Sequence, residues 1–172
     1  LAVESRQWEP EGAMWVEADC NLTGGESLVR QIMHGKKYFK DMFDRDCRIL
    51  WLPDVFGFSA ALPQILKKSG IDYFSTSKIS WNEYNVIPYN TFMWEGIDGT
   101  EIFTNFIVGG KGPNEEGRPR VTYNSWVNAE QIMGTWKNYR DKSLAKYPFM
   151  SYGLGDGGGG PGRDHLEQAI RF

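Results

Sequence analysis

At 172 residues, 41% hydrophobic and 15% aromatic, the chain carries enough apolar side chain for a packed core, which argues against wholesale disorder. Its 19 basic and 22 acidic residues leave a formal charge of −3, a balance that offers nucleic acid or an anionic membrane no broad attraction. No apolar run of transmembrane length is present, and the opening Leu1-Ala2-Val3-Glu4-Ser5-Arg6 is not a signal peptide.

In chain order, Gly12 to Asp19 reads as a short strand ending in acidic and polar residues. Thr23 and Glu26 have capping-box spacing, and Leu28, Val29, Ile32, Phe39 and Phe43 form the apolar stripe of a helix that Gly35 weakens. Arg48 to Leu52 predicts a second strand, running into the aromatic turn Trp51-Leu52-Pro53-Asp54-Val55-Phe56-Gly57-Phe58-Ser59. The next helix ends with Lys67 and Lys68 near its C-terminus and Gly70 beyond them, while Pro63 predicts an irregular start, and Ile71 to Phe74 follows as a strand. This strand–helix–strand–helix–strand order predicts an α/β fold with parallel strands and crossover helices.

The segments Thr91–Trp94 and Glu101–Phe106 flank Asp98-Gly99 and predict a hairpin. Gly109 to Arg120 reads as a polar loop, Ala129 to Lys142 as a helix carrying Ile132, Trp136 and Tyr139, and Pro148 to Tyr152 as a strand. That strand empties into Gly155-Asp156-Gly157-Gly158-Gly159-Gly160-Pro161, and a last helix begins near Arg163 or Asp164. Nothing marks a domain boundary. Cys20 and Cys47 show no ligand spacing and read as free thiols of a reducing compartment.

Asp54 and Asp156 share a setting, each after an apolar strand and before a helix. In an α/β architecture strand C-termini converge on one face, where two carboxylates can divide nucleophilic and acid–base work, as glycoside hydrolysis requires. Spacing leaves other readings open. Asp54 also suits an ordinary turn or cap, and the glycine run suits a tight turn with close backbone packing. A phosphate loop is disfavoured, because the run lacks the Gly-Lys-Ser/Thr ending and carries an acid.

The stretch Trp51 to Ile65 resembles the nucleophile region of glycoside hydrolase family 38, the retaining α-mannosidases, and is closest to the branch of bacterial enzymes and the cytosolic animal enzyme. Gly25-Glu26-Ser27-Leu28-Val29-Arg30-Gln31, Trp94-Glu95-Gly96-Ile97-Asp98-Gly99 and Gly155 to Pro161 resemble the same branch in the expected order. The resemblance spans nearly the whole chain. It implies a partial (β/α) barrel-like catalytic domain, with residues 1–172 a single segment expected to be cut from a longer protein at both ends. It implies Asp54 as nucleophile and zinc ligand, Asp156 as acid/base, and Asp19 and Lys78 as substrate-binding residues in the pocket wall or near the sugar. The implied substrates are α-mannoside oligosaccharides, and the implied location is the cytoplasm.

One departure stands out. The family completes its zinc site with an upstream His-x-Asp pair and a downstream His, whereas this chain has only His34 and His165, neither at a ligand position. Asp54 alone cannot hold Zn2+, which needs three or four ligands. The isolated segment is therefore expected to be inactive, and its exposed sheet edges are expected to favour association or instability; a homo-oligomer is expected of the parent. Two other classes stay open: a different metal-assisted hydrolase using Asp54 and Asp19, and a carbohydrate-binding or structural segment without turnover.

Overall fold

A computed structural model describes residues 2–82, 84–155 and 159–172. The elements in chain order are α1 (Gly25–Phe43), β1 (Ile49–Leu52), α2 (Leu62–Lys68), β2 (Tyr73–Thr76), a 3-10 turn (Lys78–Trp81), β3 (Thr91–Glu95) and β4 (Glu101–Phe106). There follow β5 (Gly112–Pro113), β6 (Pro119–Arg120), α3 (Ala129–Asn138) and α4 (Arg163–Arg171). The chain forms two compact units, one of Leu1–Ile79 with Phe92–Asn105, the other of Ser80–Thr91 with Phe106–Phe172.

The first unit is built on a four-stranded sheet in the order β1-β2-β4-β3. β1 and β2 are parallel, with Leu50 opposite Phe74 and Leu52 opposite Thr76, and α2 supplies the crossover that a parallel pair needs. β3 and β4 are joined by residues 96–100 alone, a link too short for parallel neighbours, so they form the expected hairpin. Gly99 takes φ +81° in that turn. The fold is thus mixed α/β.

The core of this unit places Leu28 and Ile32 of α1, Leu50 and Leu52 of β1, Leu66 of α2 and Phe74 of β2 together. Phe58 and Trp94 pack edge-on or tilted against Phe74, with ring centroids 4.9 and 5.6 Å away. The opposite face of α1 is solvated and carries the i,i+4 pairs Glu26–Arg30 and Lys37–Asp41. Gly35 has a positive use: it is buried, and the backbone of Ala13 and Met14 lies where a Cβ would project.

That approach explains why residues 12–19 are not the strand expected. Ala13 adopts φ +66°, and the amides of Trp15 and Val16 donate to the carbonyl and side-chain oxygens of Gln31 on α1, at 3.0 and 3.1 Å. Bonds that a strand would give to a sheet go to a helix instead. Only Gly12 and Cys20 retain bridges, parallel to Leu50 and Phe58.

Other boundaries shift for local reasons. The Thr23–Glu26 capping box does not form, because α1 starts at Gly25 with Gly24 as its N-cap and no side-chain cap. The irregular start of α2 is as expected: Ala61 caps in a helical conformation, Pro63 sits in the first turn, and the Ser59 carbonyl accepts from Leu62. β2 begins two residues late, at Tyr73, since Ile71 N–H still donates to Leu66 O at the end of α2.

In the second unit, the expected loop 109–120 contains the small antiparallel pair β5–β6. α3 stops at Asn138, and its buried face is Gln131, Gly134, Thr135 and Asn138, whereas Trp136 is exposed. Gly134 is there because the backbone of residues 110–112 runs against it. Tyr139 instead joins Val108 and Val121 in a small core. Pro148 to Tyr152 is not a strand; only Tyr152 bridges, to Ser125. α4 starts at Arg163 as expected.

Candidate active site

The parallel register of β1 and β2 sets the site. Leu52 lies opposite Thr76, so the residues that follow the two strands continue side by side: Pro53 with Ser77, Asp54 with Lys78. The contacts repeat that order. Ser77 Oγ donates to the Pro53 carbonyl at 2.5 Å, and Lys78 Nζ lies 2.9 Å from Asp54 Oδ1. Strand ends that project from a buried sheet hold such side chains rigidly while leaving them accessible. The Lys78 side chain is only 10% exposed and that of Asp54 38%, so the pair is screened from water on the lysine side. Lys78 Nζ also lies 5.2 Å from the centre of the Phe56 ring.

A second wall comes from residues 12–20, which run parallel to 50–58 between the bridges Gly12–Leu50 and Cys20–Phe58. Between those bridges the Asp54 N–H donates to Glu17 Oε1. Burial raises the Glu17 carboxyl above its ordinary value, and the Asp54 charge adds to this. The Asp54 N–H bond and the Lys78 ammonium act in the opposite direction. The 53–59 turn is pinned further by Ser59 N–H donating to Cys20 O at 3.0 Å, and Gly57 lets the Asn21 side chain come close.

Of the residues singled out in the sequence, Asp54 and Lys78 meet. Asp19 is exposed, and its Oδ1 accepts from the amides of Asn21 and Leu22 at 2.9 and 2.7 Å, bonds that lower its carboxyl below the usual range. Asp156 lies outside the described residues. Glu17, two residues before Asp19, was not singled out, and no pattern in the chain separates it from Asp19. Its place follows from the bridges on either side of it.

His34 is exposed on α1. His165 is 2% exposed and stacked on Trp126, with ring centroids 4.3 Å apart, a packing histidine. Cys20 and Cys47 are free and buried, and burial pushes their thiols up to about 12 and about 11. Among the described residues no three His, Cys, Asp or Glu side chains gather as metal ligands. Asp54 is the one expected ligand present, with a lysine on its Oδ1, so the described residues by themselves do not fit a zinc ion. No helix among them is long and apolar enough to cross a membrane.

The chain matches the profile described as Glycosyl hydrolases family 38 N-terminal domain across residues 1–172. It is 42% identical over 159 residues to alpha-mannosidase G of Dictyostelium discoideum, covering 92% of this chain and 14% of that protein. Alpha-mannosidase 2C1 of Homo sapiens is 41% identical over 166 residues, covering 96% of this chain and 15% of that protein. Alpha-mannosidase of Saccharomyces cerevisiae is 37% identical over 170 residues, covering 99% and 15%. The chain thus spans about one seventh of the length of these relatives. Its fold is like that in the crystal structure of an alpha-mannosidase from Enterococcus faecalis V583, with a TM-score of 0.69 at 18% identity over 99% of this chain and 18% of that one. By sequence along its whole length, the chain belongs to the N-terminal domain of glycosyl hydrolase family 38.

Proposed function

We propose that this chain carries the nucleophile region of an α-mannosidase acting by retaining hydrolysis on α-mannoside oligosaccharides. The observation that carries the reading is the Asp54–Lys78 pair at the C-terminal ends of two parallel strands, in a chain whose relatives are named alpha-mannosidases. Asp54 attacks the anomeric carbon and forms a glycosyl ester as the glycosidic C–O bond breaks, while Asp156 gives its proton to the leaving oxygen. Asp156 then takes a proton from water, which displaces Asp54 and restores both carboxyls. This requires the two carboxyl groups to stand about 5–5.5 Å apart in the working site. Lys78, 2.9 Å from Asp54 Oδ1, orients that carboxylate for attack.

In the same reading the sheet is part of a (β/α) barrel-like catalytic domain, and Asp19 lines the approach to the sugar. The buried free thiols support a cytoplasmic location. A zinc ion would take Asp54 as its one ligand among the described residues and would supply a Lewis acid for the sugar hydroxyls.

The test is Asp54→Asn in the full-length parent, assayed on an aryl α-mannoside with circular dichroism as the folding control. A loss of at least about 10^3-fold in kcat with an unchanged spectrum is expected from removal of the nucleophile. Full activity in that variant would refute the assignment.

A further inference from the structure

The turn that presents Asp54 is held from two sides, and the two holds differ in kind. On the β2 side, Ser77 takes the Pro53 carbonyl and Lys78 takes the Asp54 carboxylate. On the other side, the neighbouring segment is paired to the 50–58 stretch by backbone only at its ends, through Gly12 and Cys20. Near its middle a side chain does the pairing, with Glu17 Oε1 accepting the Asp54 N–H. We propose that Glu17 is a positioning residue for Asp54: its carboxylate stands in for a strand carbonyl and fixes the backbone from which the nucleophile projects.

The chemistry suits the position. Residues 13–16 are turned toward α1, with Trp15 and Val16 bonded to Gln31, so a backbone carbonyl from that stretch is not the acceptor at Asp54. A side chain of glutamate length bridges the gap, and a charged acceptor makes a stronger bond than a neutral one. The result is a nucleophile fixed at its amide by Glu17 and at its carboxylate by Lys78. Displacing a reacting group by about 1 Å costs on the order of 10^2-fold in rate, which sets the scale of the effect.

The proposal rests on the reading of Asp54 as nucleophile. Its test uses the full-length parent carrying Glu17→Gln or Glu17→Ala, with kcat and KM measured on an aryl α-mannoside, melting temperature recorded, and hydrogen exchange followed at the peptide containing Asp54. Gln keeps an acceptor oxygen at the same reach, so it should hold kcat within about threefold and preserve protection of the Asp54 amide. Ala should lower kcat by at least about tenfold with KM little changed and the amide deprotected. Wild-type kcat in both variants would overturn the proposal. So would equal losses in Gln and Ala, or an Ala defect that only follows loss of folded protein. If the wild-type parent cleaves no mannoside, the proposed function fails by itself. Exchange at Asp54 then still decides whether Glu17 holds the turn, with equal protection in wild type and Ala refuting it.

Discussion

Replacing Gly35 by alanine tests the packing that carries the site. On an exposed helix the change would stabilise by about 0.5–1 kcal/mol. Here the new Cβ meets the Ala13 carbonyl oxygen and the backbone carbons of Ala13 and Met14. These are main-chain atoms that cannot swing aside. Ala13 is fully buried and Met14 nearly so, so relief requires the 13–16 segment to move off α1. Overpacking of this kind costs about 1–3 kcal/mol. The same movement strains the bonds from Trp15 and Val16 to Gln31, at 3.0 and 3.1 Å, each worth about 1 kcal/mol. After the helix gain is taken off, the net loss is about 2–4 kcal/mol, a drop of about 1 M or more in the urea midpoint at the slopes typical of such chains. Urea unfolding followed by circular dichroism measures it. Met33→Ala, on the exposed face of the same helix, serves as the control and should stay within about 0.5 kcal/mol. An unchanged or raised midpoint for Gly35→Ala would show that residues 13–14 do not pack on α1 as described.

Lys78→Met should lower kcat/KM on an aryl α-mannoside by about 10–100-fold in the full-length parent, because Asp54 loses its adjoining cation while the apolar stem is kept; an unchanged value would refute the role given to that ion pair. The thiols predict an alkaline dependence. Burial holds Cys20 and Cys47 at about 12 and about 11, above their ordinary 9.0. Above pH 9 the unfolded chain therefore sheds thiol protons that the folded chain keeps, and the stability these thiols contribute falls as pH rises from about 9 toward 11–12. The difference in urea midpoint between pH 8 and pH 10 should narrow in Cys20→Ala, and an identical pH dependence would refute the account.

The hairpin at Asp98-Gly99, the crossover helix ending at Lys68 just before Gly70 and the parallel β1–β2 pair were all legible from local patterns. Asp54 was legible as well, because an acid after an apolar strand and before a helix is a local arrangement. The pattern misled where a neighbour competed for the same groups. Residues 12–19 have a strand's composition, yet the amides of Trp15 and Val16 serve α1. α3 carries an apolar Trp136 at helical spacing, yet buries Gln131, Thr135 and Asn138, since close backbone approach at Gly134 favours small and hydrogen-bonding side chains.

By itself, the sequence determined the family, the α/β order and the position of Asp54, all of which depend on residue types at short spacing. The tertiary structure decided what surrounds that carboxylate. Lys78 comes to it because β1 and β2 pair in one register, and Glu17 rather than Asp19 reaches its amide because the 12–20 segment is bridged at both ends. Strand register fixes which residues face each other across long separations, and in a parallel pair joined by a crossover helix it is set by how both strands pack on the shared core rather than by a tight turn between them.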